Sequence, residues 1–234
     1  MQAVVAETRE VAKGTLLVLL AVDAYPEYRP GNYFWVELPD RGHSDERGLR
    51  RHISLVTAPT EQGVVGFATR LRDSAFKRTL AELTVGDEVV VEEPKGSFVL
   101  PEERDEPYVF VAGGIGITVF RSMLRYIADK ALPYRTTLVY SNRDPQSAAF
   151  LDELQEHQAT LADFRLVLTM TGDERWQGER RRVGIDMLRD HLGELGEYRF
   201  LVAGPPAMAE AVAAELHAAG VAEERVLADK FSGY

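Results

Sequence analysis

Along the first hundred residues, apolar positions recur at the short spacing of half-buried strands. Six stretches carry this pattern: Ala3–Val11, Thr15–Val22, Tyr33–Leu38, His52–Thr57, Gly63–Arg70 and Glu88–Glu92. Lys13-Gly14 between the first two reads as a hairpin turn, and Pro-Gly, Ala-Pro, Gln-Gly and Gly-Asp pairs punctuate the rest. One short helix fits at Ser74–Glu82, where Phe76, Leu80 and Leu83 share a stripe. Short strands with regular turns predict a small antiparallel six-stranded β-barrel.

Beyond Pro101 the period lengthens. Strands predicted at Tyr108–Ala112, Thr136–Tyr140, Phe164–Thr169, Arg199–Ala203 and Val226–Leu227 alternate with helices at Ile117–Ala128, Ser147–His157, Ile185–His191 and Pro206–Ala219. Alternation of this kind predicts an α/β domain, a parallel sheet covered on both faces. The polar, proline-bracketed Pro101–Pro107 suits a linker, so the pattern divides the chain into two domains, 1–101 and 102–234.

Composition narrows the function. With 45% apolar residues in 234, the chain can bury a real core. Its longest aliphatic run, Leu16–Val22, is far short of the ~20 residues of a membrane span, and the N-terminus lacks the basic-then-apolar order of a secretion signal. A soluble, cytoplasmic protein is expected. Cysteine is absent, which excludes disulfides, cysteine nucleophiles and metal clusters held by the chain's own thiolates. A net charge of −10 argues against nucleic acid as a partner. The five histidines show no metal-ligand spacing, and Ser141 has no GxSxG setting, so neither a metal site nor a hydrolase elbow is expected.

The strongest chemical signal is Gly113-Gly114-Ile115-Gly116-Ile117-Thr118, which follows a strand and opens a helix. Glycines there would let a pyrophosphate approach the backbone and the positive helix end, with the Thr118 hydroxyl as a further donor. Tightness of the turn is the plainer alternative. A second strand-to-helix loop, Ala203-Gly204-Pro205-Pro206-Ala207-Met208, would lie beside it, with Pro206 in the first helical turn. In the first half, Arg51 opens the strand Arg51–Thr57 and could meet a phosphate, while Ser54 could face a heterocycle. Two basic groups, Arg47/Arg50/Arg51 and Arg70/Arg72/Lys77/Arg78, read on charge alone as solvated surface first, with anion sites as the alternative.

Taken in order, Pro30-Gly31-Asn32-Tyr33, Arg51-x-Ile-Ser54-x-x-Thr57, the Gly113–Thr118 loop, Gly204-Pro-Pro-Ala-Met208 and Phe231-Ser-Gly-Tyr234 resemble the ferredoxin–NADP reductase-like flavoprotein family over essentially the whole chain. The resemblance implies a flavin-binding barrel followed by a nicotinamide-binding α/β domain. Arg51 would contact the flavin phosphate or pyrophosphate within a strand that also carries His52, Ile53 and Thr57. Ser54 would hydrogen-bond near flavin N5, and Phe76 to Leu80 would form a second phosphate loop, with Lys77 where the family usually has serine. Gly113, Gly114, Gly116 and Thr118 would cradle the nicotinamide cofactor's pyrophosphate. Gly204, Pro205, Pro206 and Met208 would lie by the nicotinamide, and Phe231 would flank the isoalloxazine, with Tyr234 as a second candidate. Three positions depart from the family pattern: Ile53 replaces an aromatic, Ala203 a frequent cysteine, and Val119 a proline.

The implied activity is that of an NAD(P)H-dependent flavoprotein reductase. Hydride would pass from nicotinamide C4 to flavin N5 across roughly 3–3.5 Å, and electrons onward to a separate acceptor such as ferredoxin, flavodoxin or an oxygenase component. FAD is favoured, with FMN as the alternative. Ser141-Asn142-Arg143-Asp144 bears on the reductant: Arg143 would pair with a 2′-phosphate and Asp144 with ribose hydroxyls, and the balance leans to NADH. A free-flavin reductase and a non-catalytic electron-transfer subunit are the alternatives.

Overall fold

A computed structural model describes residues 1–231. Its first half is one antiparallel sheet of six strands, β1 (Gln2–Ala12), β2 (Thr15–Ala21), β3 (Tyr33–Glu37), β4 (Arg50–Ser54), β5 (Val64–Arg70) and β6 (Glu88–Val91), in the order β4-β3-β6-β1-β2-β5. The sheet curls until its ends meet. Just past β4, Val56 N donates to Gly66 O of β5 at 2.9 Å, and Gly66 N donates to Thr57 Oγ1 at 3.1 Å. Helix α1 (Ala75–Ala81) plugs one end of the barrel through the buried Phe76 and Leu80.

The unbroken apolar run of β2 now has a reason. Val18 and Leu20 fill the barrel core, whereas Leu17 and Leu19 belong to a second cluster shared with the α/β half. A strand buried on both faces cannot alternate.

The second half is a parallel sheet of β7 (Tyr108–Gly113), β8 (Thr136–Asn142), β9 (Phe164–Met170), β10 (Arg199–Gly204) and β11 (Val226–Lys230), in the order β11-β10-β7-β8-β9. Every residue of central strand β7 is buried. Tyr108, Phe110 and Ala112 face the cluster that includes residues of α2 (Ile117–Asp129) and α3 (Leu151–Thr160). Val109 and Val111 face the cluster of α4 (Ile185–Leu192) and α5 (Pro206–Ala218). No helix among the described residues is long and apolar enough to cross a membrane.

Polar clips join the halves. Ser122 Oγ donates to Thr57 O at 2.6 Å, and Arg121 Nη1 donates to Glu61 at 2.6 Å and to Val56 O at 3.1 Å. Arg121 Nε lies 3.0 Å from Glu153. Burial disfavours the Arg121 charge, but its two carboxylates outweigh that and hold its pKa above the usual arginine value.

Three elements differ from the sequence pattern. The fourth strand is Arg50–Ser54 rather than His52–Thr57, its pairing with β3 running from Glu37↔Arg50 to Tyr33↔Ser54. The third helix starts at Leu151 rather than Ser147 because Asp144 caps a single 3-10 turn, Pro145–Ser147, accepting from Ser147 N at 2.8 Å. Phe150 then takes a left-handed conformation (φ 60°) before the helix proper. The last strand runs on to Lys230, paired in register with Gly204, so it carries Asp229 into the sheet.

Candidate functional site

Two adjoining cavities of about 480 and 290 Å³ lie along the barrel and share Trp35 and His52 as a common wall. Their other linings differ in chemistry. The larger is cationic, with Arg47, Arg50, Arg51, Arg72 and Lys77 on its wall and Ile53, Asp73 and Ser74 beside them. The smaller holds Tyr33, Ser54, Asp229, Lys230 and Phe231. A charged compartment joined to an aromatic one suits a molecule with phosphates at one end and a flat ring at the other.

Strand β4 supplies both compartments. The Arg51 guanidinium lies 5.3 Å over the ring of Phe76, and Nη1 donates to the carbonyls of Arg47, Gly48 and Arg50 at 2.7, 2.9 and 2.8 Å. Its other terminal nitrogen, Nη2, is buried and makes no hydrogen bond among the described residues. A buried donor left unsatisfied is costly, which marks this as a seat for an anion. Lys77 is 7% exposed and donates to Thr69 Oγ1. Burial, reinforced by the guanidiniums of Arg51, Arg72 and Arg47, pushes its ammonium down to about 7.

The aromatic compartment is built by the neighbouring strand. Asn32 Nδ2 donates to Lys95 O (3.1 Å) and Gly96 O (2.9 Å), fixing the loop that launches Tyr33, and His52 packs edge-on to Tyr33 and Trp35. Ile53 itself points into the barrel core. The aromatic surface of the compartment comes instead from Tyr33 and Trp35 on the neighbouring strand β3. Phe231 is buried at the far side, its N donating to Gly204 O at 3.0 Å, so the ring compartment ends on the α/β half. Burial raises the pKa of Asp229 in the same compartment, with His52 opposing. Tyr234 lies outside the described residues. Thr57 lines neither cavity; it is buried, accepts from Tyr28 Oη and Gly66 N, and serves the barrel seam.

The second cluster gathers at the carboxyl ends of β7, β8 and β10, where open parallel sheets bind ligands. Its glycines act otherwise than their spacing implies. A Cβ at Gly113 would meet Met208 Sδ at 2.3 Å, and one at Gly116 would meet Ala203 O at 2.2 Å. One at Gly204 would lie 3.1 Å from the Gly113 backbone. These three let β7 and β10 close on each other. Gly114 alone (φ 52°) faces outward to another element: its Cβ would lie 2.8 Å from Nη2 of Arg70, which reaches across from the end of β5.

The Thr118 hydroxyl is buried and already donates to Ile115 O at 3.0 Å, so it offers the loop no spare proton. Pro206 opens α5 in its first turn, and Pro205 O accepts from Met208 N at 2.9 Å. At the end of β8, Ser141 is half-buried and Arg143 is exposed. Asp144 Oδ1 is committed to Ser147 N and Oγ at 2.8 and 2.7 Å, which weakens the case for it as a ribose ligand.

The structure therefore groups Arg51, His52, Ile53, Ser54, Lys77 and Phe231 along one groove, with Phe76 beneath it. It draws Trp35, Arg47, Arg72, Asp229 and Arg70 into the picture. A larger cavity of about 600 Å³, between the β1–β2 hairpin and α3, is lined by none of the expected site residues.

The model of the Oxidoreductase NAD-binding domain matches residues 110–214. The reductase component of propane 2-monooxygenase from Rhodococcus jostii (strain RHA1) is 28% identical over 217 residues, covering 88% of this chain and 56% of the relative. Reductase component 1 of terephthalate 1,2-dioxygenase from Comamonas sp is 25% identical over 220 residues, covering 93% of this chain and 63% of the relative. The chain thus spans less than two thirds of either relative's length. Among solved structures, an Amycolatopsis cytochrome P450 reductase superposes with a TM-score of 0.84 at 23% identity, over 99% of this chain and 70% of that one. A ferredoxin NADP+ reductase from Neisseria gonorrhoeae with bound FAD and NADP gives 0.83 at 18%, over 98% of both chains. At these identities the superpositions speak for the fold.

Proposed function

We propose that this chain, which belongs to the ferredoxin–NADP reductase-like FAD/NAD-binding oxidoreductases, moves electrons from NAD(P)H through a flavin to a separate acceptor. The observation that carries the reading is the composite groove. Its cationic end and its aromatic end adjoin, and the aromatic end closes on Phe231, which is hydrogen-bonded to Gly204 beside the nicotinamide cluster. The residues fit a dinucleotide flavin, since five basic side chains exceed what one phosphate monoester needs; FAD is therefore favoured over FMN.

Bound flavin and nicotinamide would supply the redox chemistry, accepting and giving hydride. The chain's part is to bind and orient. Arg51, Lys77, Arg47 and Arg72 would neutralise the flavin phosphates, and the buried Arg51 Nη2 would gain its missing acceptor. Ser54 would offer a hydroxyl at the ring, while Tyr33, Trp35 and Phe231 exclude water from it. Gly114 and Arg70 would take the nicotinamide cofactor's phosphates, one by bare backbone and the other by charge. Phe231 would have to move aside for a nicotinamide to stack there.

The division at residue 101 separates the proposed flavin-binding and nicotinamide-binding halves. The relatives named above are reductase components, and an oxygenase component, ferredoxin or flavodoxin is the proposed acceptor. A cytoplasmic location is proposed with it. The test is an anaerobic titration of the flavin-loaded protein with NADH and with NADPH, followed by a panel of acceptors. Bleaching of flavin absorbance is expected; a spectrum unmoved by either reductant would overturn the proposal. Colour retained through gel filtration would set aside the free-flavin reductase alternative.

A further inference from the structure

The cavity of about 600 Å³ between the β1–β2 hairpin and α3 is lined by none of the residues assigned above to flavin or nicotinamide. Its size is that of sites that hold small organic molecules, and both halves of the chain build it. From the barrel come Val11 of β1, Leu17 and Leu19 of β2, and Val56 just past β4; from the α/β half come Phe150 and Leu151 at the start of α3. Lys13 N donates to Gln146 O at 2.8 Å, which fastens the hairpin turn to the 3-10 turn along one side of the cavity.

Charge on the wall is unequal. Two guanidiniums, Arg9 and Arg121, stand against four carboxylates, Glu61, Asp152, Glu153 and Glu156. Arg121 is spent on Glu61 and Glu153, and Arg9 donates from Nε to Glu7, which is not part of the wall, at 2.8 Å. That leaves Asp152 and Glu156, both exposed and one turn apart on α3, to give the cavity its negative sign. A hard metal ion requires a shell of oxygens, and no group of three or more metal-binding side chains lies among the described residues. An organic cation meets both halves of the wall instead, its body covering apolar side chains while its charge reaches the carboxylates. The Phe150 ring, 5.9 Å from the Arg121 guanidinium, is an aromatic neighbour for a flat body.

We propose that this cavity is a second ligand site, one that takes a small organic ammonium with an aromatic body and so ties the barrel to the α/β half. It goes beyond the flavin and nicotinamide reading and stands without it.

Tryptamine, tryptophol and indole-3-acetate carry one indole body with a positive, a neutral and a negative end. Each is titrated calorimetrically into the protein as purified at pH 7. Tryptamine should bind once per chain, tryptophol about tenfold more weakly for want of the charge-assisted hydrogen bond, and indole-3-acetate more weakly still. At ten times its Kd, tryptamine should raise Tm by about 3–6 °C, because it binds only where both halves are folded together. The double variant Asp152→Asn/Glu156→Gln alters exposed side chains only and should bring tryptamine down to the affinity of tryptophol. Leu19→Trp fills the space and should abolish binding of both. Absence of heat and of any Tm shift with tryptamine up to about 10 mM would remove the site. Equal affinity for the three probes, or tryptamine binding unchanged in the double variant, would refute the ammonium as its occupant. Tryptamine binding undiminished in a folded Leu19→Trp protein would place the indole elsewhere on the chain and overturn the proposal.

Discussion

Replacing Gly116 by alanine places a methyl group 2.2 Å from Ala203 O, 2.5 Å from Ala203 C and 2.9 Å from Gly204 N. All three are backbone atoms of the β10 loop, so no rotamer change relieves the clash. Relief requires the two loops to part by roughly an ångström, and overpacking of a close-packed region costs about 1–3 kcal/mol, with rigid backbone at the upper end. For a chain of this size ~3 kcal/mol corresponds to a fall in Tm of about 6–12 °C. Gly114→Ala is the matched control. Its φ of 52° is strained for alanine by about 1–2 kcal/mol, but the atom it meets is the flexible end of Arg70. It should therefore cost no more stability than that strain, less than Gly116→Ala, and in addition raise KM for the nicotinamide. Thermal melts, with steady-state kinetics on both variants, check the contrast. If Gly116→Ala melted with the wild type while Gly114→Ala collapsed, the assignment of packing to one glycine and binding to the other would be reversed.

Arg70→Ala removes the cation beside Gly114, the proposed nicotinamide phosphate site; charge-assisted hydrogen bonds of ~1.5–3 kcal/mol predict a KM for NAD(P)H about 10- to 100-fold higher. Flavin content should not change, and an unaltered KM would remove Arg70 from the site. Arg121→Ala strands Glu61 and Glu153 at the junction of the halves, and breaking a pair this buried should cost ~3 kcal/mol in urea unfolding. A loss below about 1 kcal/mol would mean that the clip is ornamental.

Much of this architecture is legible in the sequence because each half has one dominant period. Alternation gave the barrel strands, and compact apolar runs before 3.6-period stretches gave the parallel sheet. What stayed hidden was decided by partners distant in the chain. Nothing in Ala228-Asp229-Lys230 reads as strand, since this edge segment is largely polar and is held by pairing with β10. The displaced start of α3 depends on the Asp144 cap and the left-handed Phe150, neither of which disturbs the helical period. At the site, glycine spacing revealed where side chains are missing but not what fills the room. Met208 and the Ala203 backbone occupy much of it. Likewise the arginine groups were undecided between surface and site; folding sends Arg72 and Lys77 into the groove, Arg70 across to Gly114, and Arg78 out to Asp73.

Met208 fills the hollow above Gly113 with its sulfur, in a chain that has no cysteine to take an oxidant first. Proteins that handle electrons in air live beside peroxide, and a thioether that gains an oxygen becomes larger and polar. On the proposed function, ageing of this protein should thus begin as a weaker hold on NAD(P)H, with the flavin still bound. Peptide mapping after mild peroxide would find the sulfoxide at Met208 in step with a rising KM; full oxidation there with unchanged kinetics would contradict this.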